Sequence, residues 1–345
     1  MRVIVVGATG NVGTSLVEAL STDPQVTSIV GLARRRPDWQ MPKTEWAAVD
    51  VTDDDLVPHF RGADAVVHLA WLFQPTHDPL TTWRANVLGS IRVFGAVAEA
   101  KVKTLVYASS VGAYSPGPRD RAVDESWPTH SLPTAAYGRE KAYVERVMDD
   151  FEHEHPAIRV VRLRPGFIFK RESAVQQRRL FAGPLVAGSL VRLTPVVPHV
   201  PGLVFQALHT SDAAEAYRLA LLGDAAGAFN IAAGPVIDTR QLAGLLDART
   251  VPLPARIVRV AAAAAWHLRL VPAAPALFDL VMSVPVMDTT RAGKELGWTP
   301  RRSATDAIGQ FLAGLQAGTG METPPLDPQS GGRRREFLTG VGGRP

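Results

Sequence analysis

The stretch GATGNVG, residues 7–13, follows the apolar run Val3, Ile4, Val5, Val6 and precedes Leu16, Val17 and Leu20 at helical spacing. An apolar run closed by glycines and reopened with a 3.6-residue period reads as a buried strand turning into a helix. Each glycine has its own task. Gly7 permits the turn, Gly10 removes the side chain that would block a phosphate, and Gly13 lets the helix approach the sheet. Backbone N–H groups and the positive end of the helix dipole then face the space before the turn, a place for a pyrophosphate. The three-and-three spacing differs from the two-and-three of the common dinucleotide fingerprint.

Outward from this turn, β-branched runs at 2–6, 28–33, 46–51, 65–70, 104–109 and 159–163 alternate with helical patterns. Over 80–100, Trp83, Val87, Ile91, Phe94 and Ala98 share one stripe, and 135–153 ends in a polar helix rich in Glu and Asp. This alternation predicts the α/β class, with a doubly wound parallel sheet of the Rossmann type. After Pro165 the rhythm is lost: Pro and Gly crowd 183–202, an isolated strand pattern falls at 228–232, and Ala- and Leu-rich helices fill 240–282. The expected organisation is a dinucleotide-binding domain at 1–165, rejoined by 203–234, and a smaller mixed substrate-binding domain from 166–202 and 235–318. Residues 319–345, mostly Gly, Pro, Ser and Arg, carry little to bury and predict a disordered tail.

The composition fits a folded enzyme-sized chain: 345 residues, 46% hydrophobic and 20% charged. The absence of cysteine removes disulfides, thiolate metal sites and Cys nucleophiles, and suits a reducing compartment. A net charge of +4 and a single tight basic run, Arg333, Arg334, Arg335 in the tail, argue against nucleic acid. Arg2 and only four apolar residues precede the glycines, so no signal peptide is read and a cytoplasmic protein is expected. The apolar stretch from Val258 to Met287 is broken by charges and prolines, which argues against a membrane span. His153 and His155 lack a third ligand of suitable spacing, so no metal is predicted.

Further motifs stand at consistent intervals: Asp50-Val51 after the third strand, His68-Leu69-Ala70, Asn86 in NVLGS, Ser109-Ser110, Tyr137-Gly-Arg-Glu-Lys141, RLRPG at 162–166 and DTTRAGKELGW at 288–298. With the glycine triplet they resemble the extended branch of the short-chain dehydrogenase/reductase superfamily, the NAD-dependent epimerase/dehydratase type, over about residues 1–300. The resemblance implies hydride transfer through a nicotinamide dinucleotide held by Gly7, Thr9, Gly10, Asn11, Val12, Gly13, Arg34, Arg35, Asp50, Val51, Leu69, Ala70 and Pro165, with Tyr137 and Lys141. It also implies a catalytic set of Ser110, Tyr137 and Lys141, with Asn86 supporting Lys141 through water, and a homodimer contact built from the helices around 80–100 and 135–153.

The chemistry of that set is consistent. Four residues apart on a helix, Tyr137 and Lys141 share a face. A free tyrosine titrates near ~10, so the Lys141 ammonium and an oxidised nicotinamide are needed to favour its anion. Ser110 then holds the substrate oxygen. For the cofactor, the second strand ends in Leu32, Ala33, Arg34, Arg35, Arg36 with no acid before Asp38. An acid there selects the free ribose hydroxyl and an Arg accepts a 2′-phosphate, which favours NADP, with NAD as the other cofactor of this fold.

Departures from the family narrow the reaction. Val111 and Gly112 stand where dehydratases carry an acidic pair. Phe167 stands where epimerases place a sugar-diphosphate-binding Asn, and Lys170 replaces a Gly. The RPG form is closer to reductases and hydroxysteroid-type dehydrogenases. Trp71, Leu72, Phe73, Phe167, Phe169 and Phe205 supply an apolar wall or simply core, so a small hydrophobic carbonyl or hydroxyl compound is the expected substrate. Two alternatives stay open: a nucleotide-sugar epimerase with tightly held NAD, its phosphate grounded by Lys170, Arg171 and Arg178, and a non-catalytic nucleotide sensor. In HTSDAAEA, Ser211 or Asp212 is expected to cap a helix.

Overall fold

A computed structural model describes residues 1–118, 120–329 and 341. In chain order the first half runs β1 (Arg2–Val6), α1 (Asn11–Thr22), β2 (Ser28–Ala33), β3 (Thr44–Ala48), α2 (Val57–Phe60), β4 (Ala65–His68), α3 (Pro79–Trp83), a π-helical turn at Arg84–Leu88, α4 (Gly89–Glu99), β5 (Thr104–Ala108), α5 (Ala136–Glu154) and β6 (Arg159–Pro165). These strands and one later strand form a parallel seven-stranded sheet in the order 10-6-5-4-1-2-3. The strands are apolar because both faces are covered. Val3, Val5 and Ile29 pack on the α1 side, Ile4, Val66 and Leu105 on the α4–α5 side.

The second half runs β7 (Phe167–Phe169), α6 (Ala174–Gln177), β8 (Val196–His199), β9 (Val204–His209), α7 (Thr210–Leu222), β10 (Gly227–Ile231), β11 (Ala233–Asp238), α8 (Thr239–Leu245), β12 (Arg249–Pro252), α9 (Ala255–His267), α10 (Pro275–Val281) and α11 (Ala304–Ala317). Strand β10 completes the large sheet beside β6, and α7 packs on α1. Within 203–234, the segment expected to rejoin the first domain, α7 and β10 pack on it, whereas β9 does not enter the large sheet. Strand β9 lies between β7 and β11 in a separate three-stranded sheet, because its apolar Phe205 and Ala207 pack with Ile237 and Ile308 of that layer.

Two sequence expectations are corrected here. The tail is not without packing: in 319–329, Leu326 is fully buried, and the buried Thr323 hydroxyl donates to the Thr9 carbonyl at 3.0 Å. The Arg179 guanidinium adds a bond to the Pro325 carbonyl at 3.2 Å, so a few local contacts anchor a polar segment; Arg333, Arg334 and Arg335 lie outside the described residues. The cap of α7 is neither Ser211 nor Asp212. The His209 ring accepts from the Ser211 N–H, whereas Asp212 turns away to accept from the Arg302 N–H.

No helix among the described residues is long and apolar enough to cross a membrane.

Candidate active site

At the carboxyl end of β1 the chain turns through Gly7, whose φ is +88°. A Cβ there would meet the Ala70 N at 2.6 Å, and one on Gly13 would meet the Gly7 carbonyl at 2.4 Å. Both glycines are thus required by the protein's own packing. Gly10 differs: a Cβ would meet only the Gly7 oxygen, at an ordinary 3.5 Å. Gly10 is also the N-cap of α1, where no side chain caps the helix. The open space and uncapped N–H groups at one point fit a pyrophosphate.

Strands β1 and β4 are neighbours from which the chain winds in opposite directions, so a crevice opens between their carboxyl ends. That is where Gly7 to Gly13, Leu69 and Ala70 gather. Arg34 and Arg35 are exposed just beyond β2, and Asp50 and Val51 follow β3. The Asp50 carboxylate accepts from the Thr52 N–H and hydroxyl at 3.0 and 2.7 Å, which makes a rigid turn at that edge. Pro165 is buried at the end of β6.

Across the crevice, Ser110 caps a short 3₁₀ turn, its Oγ accepting from the Gly112 N–H at 3.0 Å. Tyr137, in the first turn of α5, lies against the same turn: a Cβ on Gly112 would meet its ring at 2.9 Å and the Ser110 Oγ at 3.4 Å. Burial pushes the Tyr137 phenol up to about 12, with the Ser110 hydroxyl countering. Lys141 lies one turn on, buried, and donates to the Ala108 carbonyl at 2.6 Å, its ammonium 3.4 Å from the centre of the Trp71 indole. Burial holds the Lys141 ammonium well below its usual range, partly offset by Glu145 and Glu140. The indole therefore covers the amine that the resemblance assigns to a nicotinamide ribose. A ligand there would replace a cation–π contact rather than water.

Asn86 sits in the π-helical turn, the kind of local irregularity that re-aims a side chain. Its amide donates to the Leu72 carbonyl and to Glu140, at 2.8 and 2.7 Å, and accepts from the Leu72 N–H at 2.6 Å. These bonds clamp the loop carrying Trp71 and Phe73 to α5.

The substrate side of Tyr137 is aromatic. Phe73 stacks on its ring at 5.3 Å with an interplanar angle of 11°, Trp71 meets it edge-on at 5.9 Å, and Phe181 packs edge-on against Phe73 at 5.5 Å. Phe167 joins the same cluster, whereas Phe169 packs on Phe311 and Phe205 on the core of the small sheet. Of the three cations considered for a phosphate, Lys170 is buried and donates to Thr14 at 2.6 Å, and Arg178 is buried and donates to the Gly183 carbonyl. Burial lowers Lys170 to about 8, Glu18 opposing.

Two features escaped the sequence reading. Phe181 comes from a π-helical turn, Arg178–Ala182, just before the proline- and glycine-rich stretch, where nothing in the spacing marks it. Under the site, Glu145 is fully buried between Arg164, at 2.9 Å, and Arg162, at 3.1 Å, and accepts from Ser109. Although burial raises its carboxyl, the two guanidiniums bring it down to about 2. A signal existed: Tyr137, Lys141 and Glu145 recur every four residues, and Arg162 and Arg164 alternate onto one face of β6. This cluster fixes α5 against β6 and, through Ser109, against the end of β5. Among the described residues no group of three His, Asp or Glu is disposed to hold a metal.

A Rossmann sheet whose first turn fits a pyrophosphate thus faces Ser110, Tyr137 and Lys141 across one crevice. Residues 3–232 match the model of the NAD dependent epimerase/dehydratase family, and the chain belongs to that family. It is 27% identical over 325 residues to an uncharacterized protein of Mycobacterium tuberculosis, covering 93% of this chain but spanning only 31% of that protein. It is 31% identical over 178 residues to the L-arabinose 1-dehydrogenase (NAD(P)(+)) of Haloferax volcanii, 48% of this chain and 67% of that one. Its fold is shared with the UDP-glucose 4-epimerase of Thermus thermophilus solved with NAD, at a TM-score of 0.69 and 22% identity over 92% of this chain and 99% of that one.

Proposed function

We propose that this chain is an NADP-preferring oxidoreductase that transfers hydride between the nicotinamide and a carbonyl or hydroxyl carbon of a substrate with an apolar body. The observation that carries the reading is the aromatic wall: Phe73 stacked on Tyr137, Trp71 at its edge and Phe181 behind. A sugar diphosphate needs polar partners there, and two of the three cations that would supply them, Lys170 and Arg178, are engaged by Thr14 and the Gly183 carbonyl. The preference for NADP rests on exposed Arg34 and Arg35 and the lack of an acid before Asp38.

The dinucleotide supplies a hydride donor or acceptor. The protein supplies the proton and its timing. In reduction the Tyr137 hydroxyl donates to the substrate oxygen as negative charge develops on it, and Ser110 donates a second hydrogen bond to that oxygen. Lys141 leaves the indole for the ribose hydroxyls, which brings its charge toward the phenolate left on Tyr137. In oxidation the same groups act in reverse.

The test is to purify the protein without added nucleotide, identify any released dinucleotide by mass spectrometry, and titrate the emptied protein with NADPH and NADH by fluorescence. Tighter binding of NADPH, followed by turnover of apolar ketones or aldehydes, supports the proposal. Stoichiometric trapped NAD would replace it with the epimerase reading, and binding of neither would overturn both.

A further inference from the structure

Fourteen large apolar side chains are exposed among the described residues, and nine of them lie in just two segments, 185–196 and 251–270. These segments form one surface. Strand β8 pairs in parallel with β12, and at the far end Gly183 abuts Pro272 and the Leu270 carbonyl, so the two stretches run side by side. The centre of the surface is α9. None of its thirteen residues is fully buried, and its outward face carries Ile257, Val260, Ala261 and Ala264, continued by Leu268 and Leu270 beyond its end. An apolar strip of this kind on a folded protein marks a surface that something covers.

Charge decides what covers it. Residues 173–211 and 248–278 contain no Asp or Glu, while the second segment carries Arg249, Arg256, Arg259 and Arg269. Arg259 is paired with Asp279 at 2.8 Å from neighbouring α10; no ion pair among the described residues engages Arg249, Arg256 or Arg269. A second copy seated by a twofold axis would set Arg249, Arg256 and Arg269 against their own copies, with Asp279 already held by Arg259. Anionic phospholipid headgroups would answer the arginines while the strip between them enters the upper acyl region.

We propose that α9 and the flanking 185–190 loop form a peripheral docking surface for an anionic lipid bilayer. The surface borders the substrate side of the site: Phe181 packs edge-on against Phe73, which stacks on Tyr137, and α9 packs on α10, whose Leu280 belongs to the Tyr137 cluster. Attachment would therefore set the apolar mouth of the site toward the membrane plane. The inference goes beyond the proposed chemistry and does not depend on it.

Flotation of the full chain with vesicles tests it, comparing phosphatidylcholine alone with phosphatidylcholine plus phosphatidylglycerol at low and high salt. The expected result is recovery with the anionic vesicles only, weakened by salt. Partitioning should fall at least about tenfold in Val260→Glu combined with Leu268→Glu, since each buried methylene contributes to interfacial binding. Leu80→Glu, an equally exposed leucine on α3, should bind as the parent does, and matching circular dichroism melts establish that both variants fold. Failure of the parent to float with anionic vesicles overturns the proposal. So does unchanged flotation of the double variant, or a dimer by light scattering that the double variant dissociates while no vesicle is bound.

Discussion

At the glycine-rich turn, the groups that face the crevice are backbone N–H donors with no side chain in front of them; around Tyr137 they are aromatic faces. At the first end, specificity is a matter of what is missing: a Cβ at Gly10, a cap on α1, an acid after β2. At the second it is a matter of what is present and tightly engaged. Asn86 is spent on Leu72 and Glu140, Lys141 on the Ala108 carbonyl and the Trp71 face, Glu145 on two arginines. A backbone site is insensitive to neighbouring side chains and accepts one ligand chemistry, whereas a side-chain site changes ligand when a few residues change. The same fold can therefore keep its cofactor and exchange its substrate.

The largest effect should come from the side-chain end. Tyr137→Phe keeps the ring and its stacking but removes the proton, so turnover should fall about 10³-fold. Dinucleotide affinity, read by fluorescence titration, should hardly move. If turnover persists near the parent level, Tyr137 is not the acid and the contrast between the two ends collapses.

A sharper division is available within the turn. Gly13→Ala forces a Cβ into the Gly7 carbonyl and should destabilise by about 2–4 kcal/mol in chemical denaturation. Gly10→Ala meets nothing but an oxygen at contact distance. Its denaturation midpoint should match the parent, while NADPH binding weakens about tenfold because the phosphate has lost its approach. Equal behaviour of the two variants would show that both glycines serve packing alone.

The smallest effect is on stability. Because burial depresses the folded-state pKa of Lys141, the folded chain binds fewer protons than the unfolded one between that lowered value and 10.5. The strain is complete below this window and relaxes as pH rises through it. Lys141→Met should therefore raise Tm by about 2–4 °C at neutral pH, with the gain shrinking in alkali, while dinucleotide binding weakens. A melt lowered at neutral pH would mean that Glu145 and the Trp71 face more than offset the burial.

How much of this was legible follows the same division. The sheet and the turn could be read because strand runs and glycine spacing are local patterns, and a four-residue interval puts Tyr137 and Lys141 on one helix face, whereas Ser110 was singled out by the family resemblance. The short reach of β9's segment back toward the sheet, the His209 cap, Phe181 and the Glu145 cluster were not legible, since each depends on which distant element packs alongside. Lys170 shows the limit well. As a residue in place of a glycine it reads as a loop perturbation or a phosphate ligand, yet its amine reaches 156 positions back to Thr14. The tail misled for a related reason: composition counts how much a segment can bury, and Leu326 and Thr323 needed only a niche to bury in.

The bond from Thr323 to Thr9 joins residues 314 positions apart. Closing so large a loop is entropically costly and comes late in folding, so the glycine-rich turn first forms without the contact that finishes it. Clipping between 319 and 323 would return the turn to that unfinished state, so residues past α11 report on a turn made at the end of β1.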